Sequence, residues 1–92
     1  MMNEEQKGEN DYLESHNRDK GNYLILHNDD VHDFEYVINS LIGICNHDKI
    51  QAEQCAYLVH YSGKCNIKKG SYSELQEMKI ELENRGLEVS LI

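Results

Sequence analysis

The sequence predicts an α+β domain: a two-layer sandwich in which a three-stranded sheet is covered by three helices. Three observations carry this expectation. Apolar residues recur at helical spacing in the middle of the chain, with Phe34, Val37, Ile38, Leu41, Ile42 and Cys45 forming one stripe. They alternate with polar residues at the C-terminus, where Leu87, Val89 and Leu91 are separated by Glu88 and Ser90. Helix-start signals stand at Asp33, Asp48 and Ser71, each ahead of an apolar periodic run.

Taken in order, the elements read β-α-α-β-α-β. Residues 1–20 hold only scattered apolar side chains among Glu, Asn, Asp, Lys and Gly, and are expected to be a flexible N-terminal extension. Gly21-Asn22 marks the boundary, so the folded domain is expected over residues 21–92. Residues 23–27 read as a short, largely buried strand, followed by a turn over residues 28–32. Asp33 caps the first helix, which should end near Asn46-His47. Asp48 with Gln51 makes a capping-box pattern for the second helix. Its inward face is narrow and small: Ala52, Cys55, Ala56 and Val59. Gly63 supplies a stop that tolerates a left-handed conformation. Residues 64–69 form a weak strand, with a turn at Lys68-Lys69-Gly70. Ser71 and Glu74 open the third helix, which carries Leu75, Met78 and Leu82 and closes at Gly86. Residues 87–91 make the last strand. The sheet is expected to be antiparallel or mixed.

Composition narrows the function. The 92-residue chain has room for one domain. Seventeen acidic against nine basic residues give a formal charge of −8. A phosphate backbone or an anionic bilayer needs a basic face, so nucleic acid and membrane partners are disfavoured. No apolar run reaches the length of a membrane span, and the polar, acidic N-terminus is unlike a signal or transit peptide. A cytoplasmic protein is expected. Cys45, Cys55 and Cys65 are odd in number and make no C-x-x-C pair, so they read as reduced, buried thiols and not as a disulfide framework or zinc site.

The chemistry concentrates where an apolar strand runs into Asn28, Asp29 and Asp30. Such a cluster is a solvated turn whose side chains cap their own backbone, or it is a clamp for an ammonium group. An Asn carbonyl and an Asp carboxylate both accept from R-NH3⁺, and the charge-assisted bonds are the stronger ones. His60, at the end of the second helix, is either a packed capping residue or a further acceptor. His27, His32 and His47 match no metal-ligand spacing, and no metal or other cofactor is expected. No nucleophile elbow, phosphate-cradling Gly loop or H-E-x-x-H pair is present, so an enzyme is not expected. Phe34, Val37, Ile38, Ala52, Ala56 and Val59 suit a core face or a pocket wall, between which periodicity does not distinguish.

Several of these segments occur together in one known family. Leu26-His27-Asn28-Asp29-Asp30 with Phe34-Glu35-Tyr36-Val37, then Ala52-Glu53-Gln54 leading to Val59-His60-Tyr61-Ser62-Gly63-Lys64, resemble the ClpS adaptors of the ATP-dependent Clp protease. The resemblance spans residues 23–92. It implies a substrate-recognition adaptor that binds an exposed N-terminal residue, an N-degron, and delivers the protein to the N-terminal domain of a Clp AAA+ unfoldase. Favoured first residues would be Leu, Phe, Tyr and Trp. It implies α-amine binding by Asn28, Asp29 and His60. The side-chain pocket would comprise Asp30 through its backbone, His32, Phe34, Val37, Ala56, Val59 and Leu87. Unfoldase docking would fall to Glu74 and Lys79, and residues 1–20 would serve during delivery.

Two departures bear on specificity. Many members carry Thr-Pro-Met where this chain has His32-Asp33-Phe34, and many carry a Met, which narrows the pocket against β-branched residues, where this chain has Ala56. Phe34 is expected to refill space left at Ala56; otherwise Ile and Val would be accepted. The alternative function is a protein-interaction module with the fold of the ribosomal-stalk C-terminal domain, without degron binding.

Overall fold

The computed structural model describes residues 21–92; the expected N-terminal extension, residues 1–20, lies outside the described residues. The order is β1 (Asn22–His27), α1 (Phe34–Cys45), α2 (Lys49–Ser62), β2 (Lys64–Gly70), α3 (Tyr72–Asn84) and β3 (Glu88–Leu91). This is the α+β, β-α-α-β-α-β arrangement that the periodicity implies. The strands run β2-β1-β3, and both pairings are antiparallel. Leu26 sits opposite Cys65 on one side and Val89 on the other.

Each helix start follows from its cap. Asp33 accepts the N–H of Tyr36 at 2.9 Å, Asp48 that of Gln51 at 2.8 Å and Ser71 that of Glu74 at 3.2 Å. Each bond satisfies a first-turn donor that has no partner within its helix, worth about 1 kcal/mol. Gly63 ends α2 at φ 92°, and its N–H donates to the Val59 carbonyl. A residue with a Cβ pays for that conformation.

The core lies between the sheet's inner face and the helices. Leu24 and Leu26 point in from β1, Ile38, Leu41 and Cys45 from α1, and Ala52, Cys55, Ala56 and Val59 from α2. Leu75 and Leu82 of α3, with Leu87 and Val89, close the other end. Each buried Leu contributes about 1.5–3 kcal/mol. Ser40 is fully buried on α1 and joins a polar staple. Tyr36 Oη donates to the Arg85 carbonyl at 2.7 Å, Arg85 Nη1 donates to Ser40 Oγ at 3.2 Å, and Ser40 Oγ donates to the Tyr36 carbonyl. It fixes the end of α3 against the start of α1. His47 pins the α1–α2 corner to β2. Its Nε2 must carry the proton, because it lies 2.6 Å from the Ile67 carbonyl, which only accepts.

Three sequence expectations change. Lys68, Lys69 and Gly70 are not a turn: they extend β2 and pair with Leu24, Tyr23 and Asn22 across a register shift at Leu24/Ile25. Pairing with a buried central strand outweighs the local turn propensity of Lys-Gly. β1 is buried on one face only, with Ile25 and His27 half-exposed on the other. Phe34 and Ile42 lie on the apolar stripe of α1 but are exposed. The wide stripe exceeds what one packed face of α1 covers.

Candidate functional site

The site forms where the end of β1 meets the start of α1 and the end of α2. The Asn28 N–H donates to the Gly63 carbonyl at 2.9 Å. With the His27–Lys64 pairing beside it, that bond ties the strand end to the C-terminus of α2, and Asn28 lines one cavity with His60, which lies in the last turn of α2. The carbonyl end of a helix carries partial negative charge and favours a cation.

Asp29 is held firmly. Its Oδ1 accepts the N–H groups of Val31 and His32, both at 2.9 Å, and its Oδ2 lies 3.2 Å from His32 Nδ1. Burial pushes the Asp29 carboxyl upward, but these bonds and the His32 ring outweigh it and hold it below its ordinary value. Asp29 therefore stays ionised at neutral pH. A carboxylate offers about four lone-pair positions, so acceptor capacity remains on Oδ2. His32 is itself fixed from two sides. It stacks on Tyr36 at 4.7 Å between ring centroids, and Gly86 at φ 84° packs against its ring. A Cβ at residue 86 would come within 3.1 Å of His32 Cε1.

Behind these acceptors lies a small cavity of about 40 Å³. It is lined by Leu26, His27, Asn28, Asp29, His32, Phe34, Val37, Ala56, Val59, His60 and Leu87. The three acceptor residues and six of the seven pocket-wall residues singled out from sequence line this one cavity. Asp30 does not line it and is exposed. Leu26 and His27 were not singled out; their position just before Asn28 was the available signal. About 40 Å³ holds roughly one water, whereas a benzene-sized group needs about 150 Å³. Ala56, Val59 and Leu87 are nearly fully buried and cannot yield cheaply, while Phe34 is 39% exposed. Its ring meets His60 edge-on at 5.4 Å and lies 5.9 Å from Tyr57. Phe34 is the most exposed of the apolar walls.

Glu74 and Lys79 lie elsewhere, on α3. Five residues on a helix span about 140°, so they flank one side of it. Lys79 Nζ pairs with Glu83 Oε2 at 3.1 Å, and Glu74 Oε1 lies 3.5 Å from Ser71 Oγ. Among the described residues no group of three or more His, Cys, Asp or Glu side chains is arranged to hold a metal ion. No helix among them is long and apolar enough to cross a membrane.

The family model described as ATP-dependent Clp protease adaptor protein ClpS matches residues 17–90. The chain belongs to the ClpS family. Its fold is also that of a solved ClpS structure, Agrobacterium tumefaciens ClpS2 bound to L-phenylalaninamide. The two share 16% sequence identity over 77% of this chain and 93% of that one, with a TM-score of 0.67. No curated protein matches the sequence. ClpS proteins are adaptors of the Clp protease.

Proposed function

We propose that this ClpS-family chain recognises the free N-terminal residue of a substrate polypeptide and delivers the substrate to a Clp AAA+ unfoldase in the cytoplasm. In this reading Asn28, Asp29 and His60 hold the α-ammonium group. The first side chain enters between Val37, Ala56, Val59 and Leu87 as Phe34 swings outward, with His32 and the Asp30 backbone at the rim. Glu74 and Lys79 dock the unfoldase N-terminal domain. Residues 21–92 act as the adaptor domain and residues 1–20 as the extension used during delivery.

The observation that carries the reading is the convergence of three potential acceptors, one an ionised Asp29, on a small cavity that Val37, Ala56, Val59 and Leu87 also wall, in a ClpS fold. L-phenylalaninamide, the ligand named for the Agrobacterium protein, has a free α-amine and an apolar side chain, the two features of a polypeptide's first residue. The energetics are adequate. Burying a Leu or Phe side chain contributes about 1.5–3 kcal/mol, and each charge-assisted hydrogen bond about as much. After association costs, a Kd of about micromolar order follows.

The test is fluorescence polarisation with a labelled peptide beginning with Leu or Phe, its Nα-acetylated twin, and the His60→Ala variant. Binding that vanishes on acetylation and weakens in the variant supports the reading. Equal binding of free and acetylated peptides rejects the amine clamp and favours a general interaction module. Docking is tested separately: Glu74→Arg and Lys79→Glu should weaken binding to the unfoldase N-terminal domain while leaving peptide binding intact.

A further inference from the structure

The outer face of α2 carries a second apolar stripe that the core does not use. Ile50, Tyr57, Leu58 and Tyr61 are all at least half exposed, at 68%, 56%, 50% and 67%. Their spacing of i, i+7, i+8 and i+11 places them along one side of the helix. Ile50, Tyr57 and Leu58, with Glu53 and Gln54, line an open depression of about 520 Å³.

This stripe is continuous with the amine pocket. His32, Phe34 and His60 wall both the pocket and a neighbouring depression of about 260 Å³, which Asp33 and Tyr61 complete. His60 meets Tyr61 at 4.8 Å between ring centroids, and Tyr61 meets Tyr57 at 4.6 Å. A row of rings thus leads from the pocket mouth onto the outer face of α2. From Tyr61 back to Ile50 the helix rises about 16 Å, and four extended residues, reaching about 13–14 Å, cover most of it.

We propose that this stripe is the exit track for the bound polypeptide: residues two to five of the substrate lie along α2, and apolar or aromatic side chains there strengthen binding. The inference rests on the amine-pocket reading and adds a preference beyond the first residue. The depression that shares His32, Phe34 and His60 with the pocket gives a chain whose ammonium group is held at Asn28 and His60 an open path toward Tyr61. A second copy of this protein is a poorer occupant, because each copy carries a formal charge of −8 and like charges oppose association.

The experiment compares two Leu-first peptides on the full chain. One has Gly and Ser at positions two to five, the other Leu and Phe. Both are also made Nα-acetylated. The apolar peptide should bind about three- to tenfold tighter, the gain expected from partial burial of two or three side chains on an open surface. Ile50→Ser and Leu58→Ser should abolish that gain and leave the Gly/Ser peptide unchanged. Both residues are exposed and lie outside the pocket, and circular dichroism checks that the variants remain folded. Equal affinity of the two free peptides overturns the exit track and leaves the amine pocket standing. Failure of both free peptides to bind, or binding that survives acetylation, removes the amine-pocket reading and the track with it. Concentration-dependent dimerisation abolished by Leu58→Ser assigns the stripe to self-association and also overturns the proposal.

Discussion

Truncating Phe34 is the sharpest probe of the pocket. The cavity is about 40 Å³, far short of a Leu or Phe side chain, and Phe34 is its most exposed apolar wall. Admitting a ligand side chain requires the ring to leave its contacts with His60 and Tyr57. Aromatic pairs of this kind are worth about 0.5–1.5 kcal/mol each, so losing both costs about 1–3 kcal/mol. Phe34→Ala removes that cost and makes room at the rim. A Leu- or Phe-first peptide loses a wall contact in exchange. An Ile- or Val-first peptide, whose bulk sits at Cβ, gains space where it needs it. The ratio of Ile-first to Leu-first affinity should therefore rise by about fivefold to thirtyfold. Stability should fall by only about 1–2 kcal/mol, less than the 3–5 kcal/mol typical of a buried Phe. Ala56→Met should act oppositely, filling the cavity floor and abolishing Ile binding. The assay is competition fluorescence polarisation with Ile-, Val-, Leu- and Phe-first peptides and acetylated controls, alongside urea melts. An Ile-to-Leu ratio unchanged within twofold in a folded Phe34→Ala protein would refute the gating argument.

Further consequences follow from the same geometry. Asp29 has a lowered pKa, so its stabilisation of the loop is complete above the usual value of 3.8 and is lost as pH falls through its folded value. Acid melts should show this loss, and Asp29→Asn should reduce it; an identical acid profile for the two proteins would contradict it. Gly63→Ala places a Cβ at φ 92°, in open space but in the left-handed region. A cost of about 1–2 kcal/mol is expected in urea titrations, with weaker peptide binding, because the Gly63 carbonyl holds the Asn28 N–H. Wild-type stability in that variant would show that the turn adapts. Burial pushes the Cys45 thiol up to about 11, and burial together with the neighbouring Cys65 thiol pushes Cys55 up to about 12. Both should resist a thiol reagent at neutral pH in the native protein and react once unfolded; rapid native labelling of Cys55 would count against this burial.

Much of the fold is local information. Asp33, Asp48 and Ser71 announce helix starts because a short side-chain acceptor satisfies the backbone donors next to it, and that needs no tertiary partner. Gly63 marks a stop for the same kind of reason. The alternation of Leu87, Val89 and Leu91 fixes which way the last strand faces. The candidate acceptors are legible too, since Asn28-Asp29-Asp30 after an apolar strand is an unusual ending, and the family resemblance implies His60 beside them.

The sequence by itself therefore determined the order of elements, the capped helix ends and the identity of the candidate acceptors, all of which depend on neighbours within a few residues. Tertiary structure alone decided the rest. β2 runs on through Lys68, Lys69 and Gly70 because β1 lies alongside to take their hydrogen bonds. Asn28 and His60 line one cavity because the β1–β2 pairing and the bond from Asn28 N–H to the Gly63 carbonyl bring the strand end to the end of α2. The apolar stripe of α1 gives core at Ile38 and Leu41 but leaves Phe34 partly exposed at the cavity, against Tyr57 and His60 of α2. The size of the cavity is set by how closely Ala56, Val59 and Leu87 approach from three different elements. Contacts between residues distant in sequence are fixed by packing, and no local pattern encodes a volume of about 40 Å³.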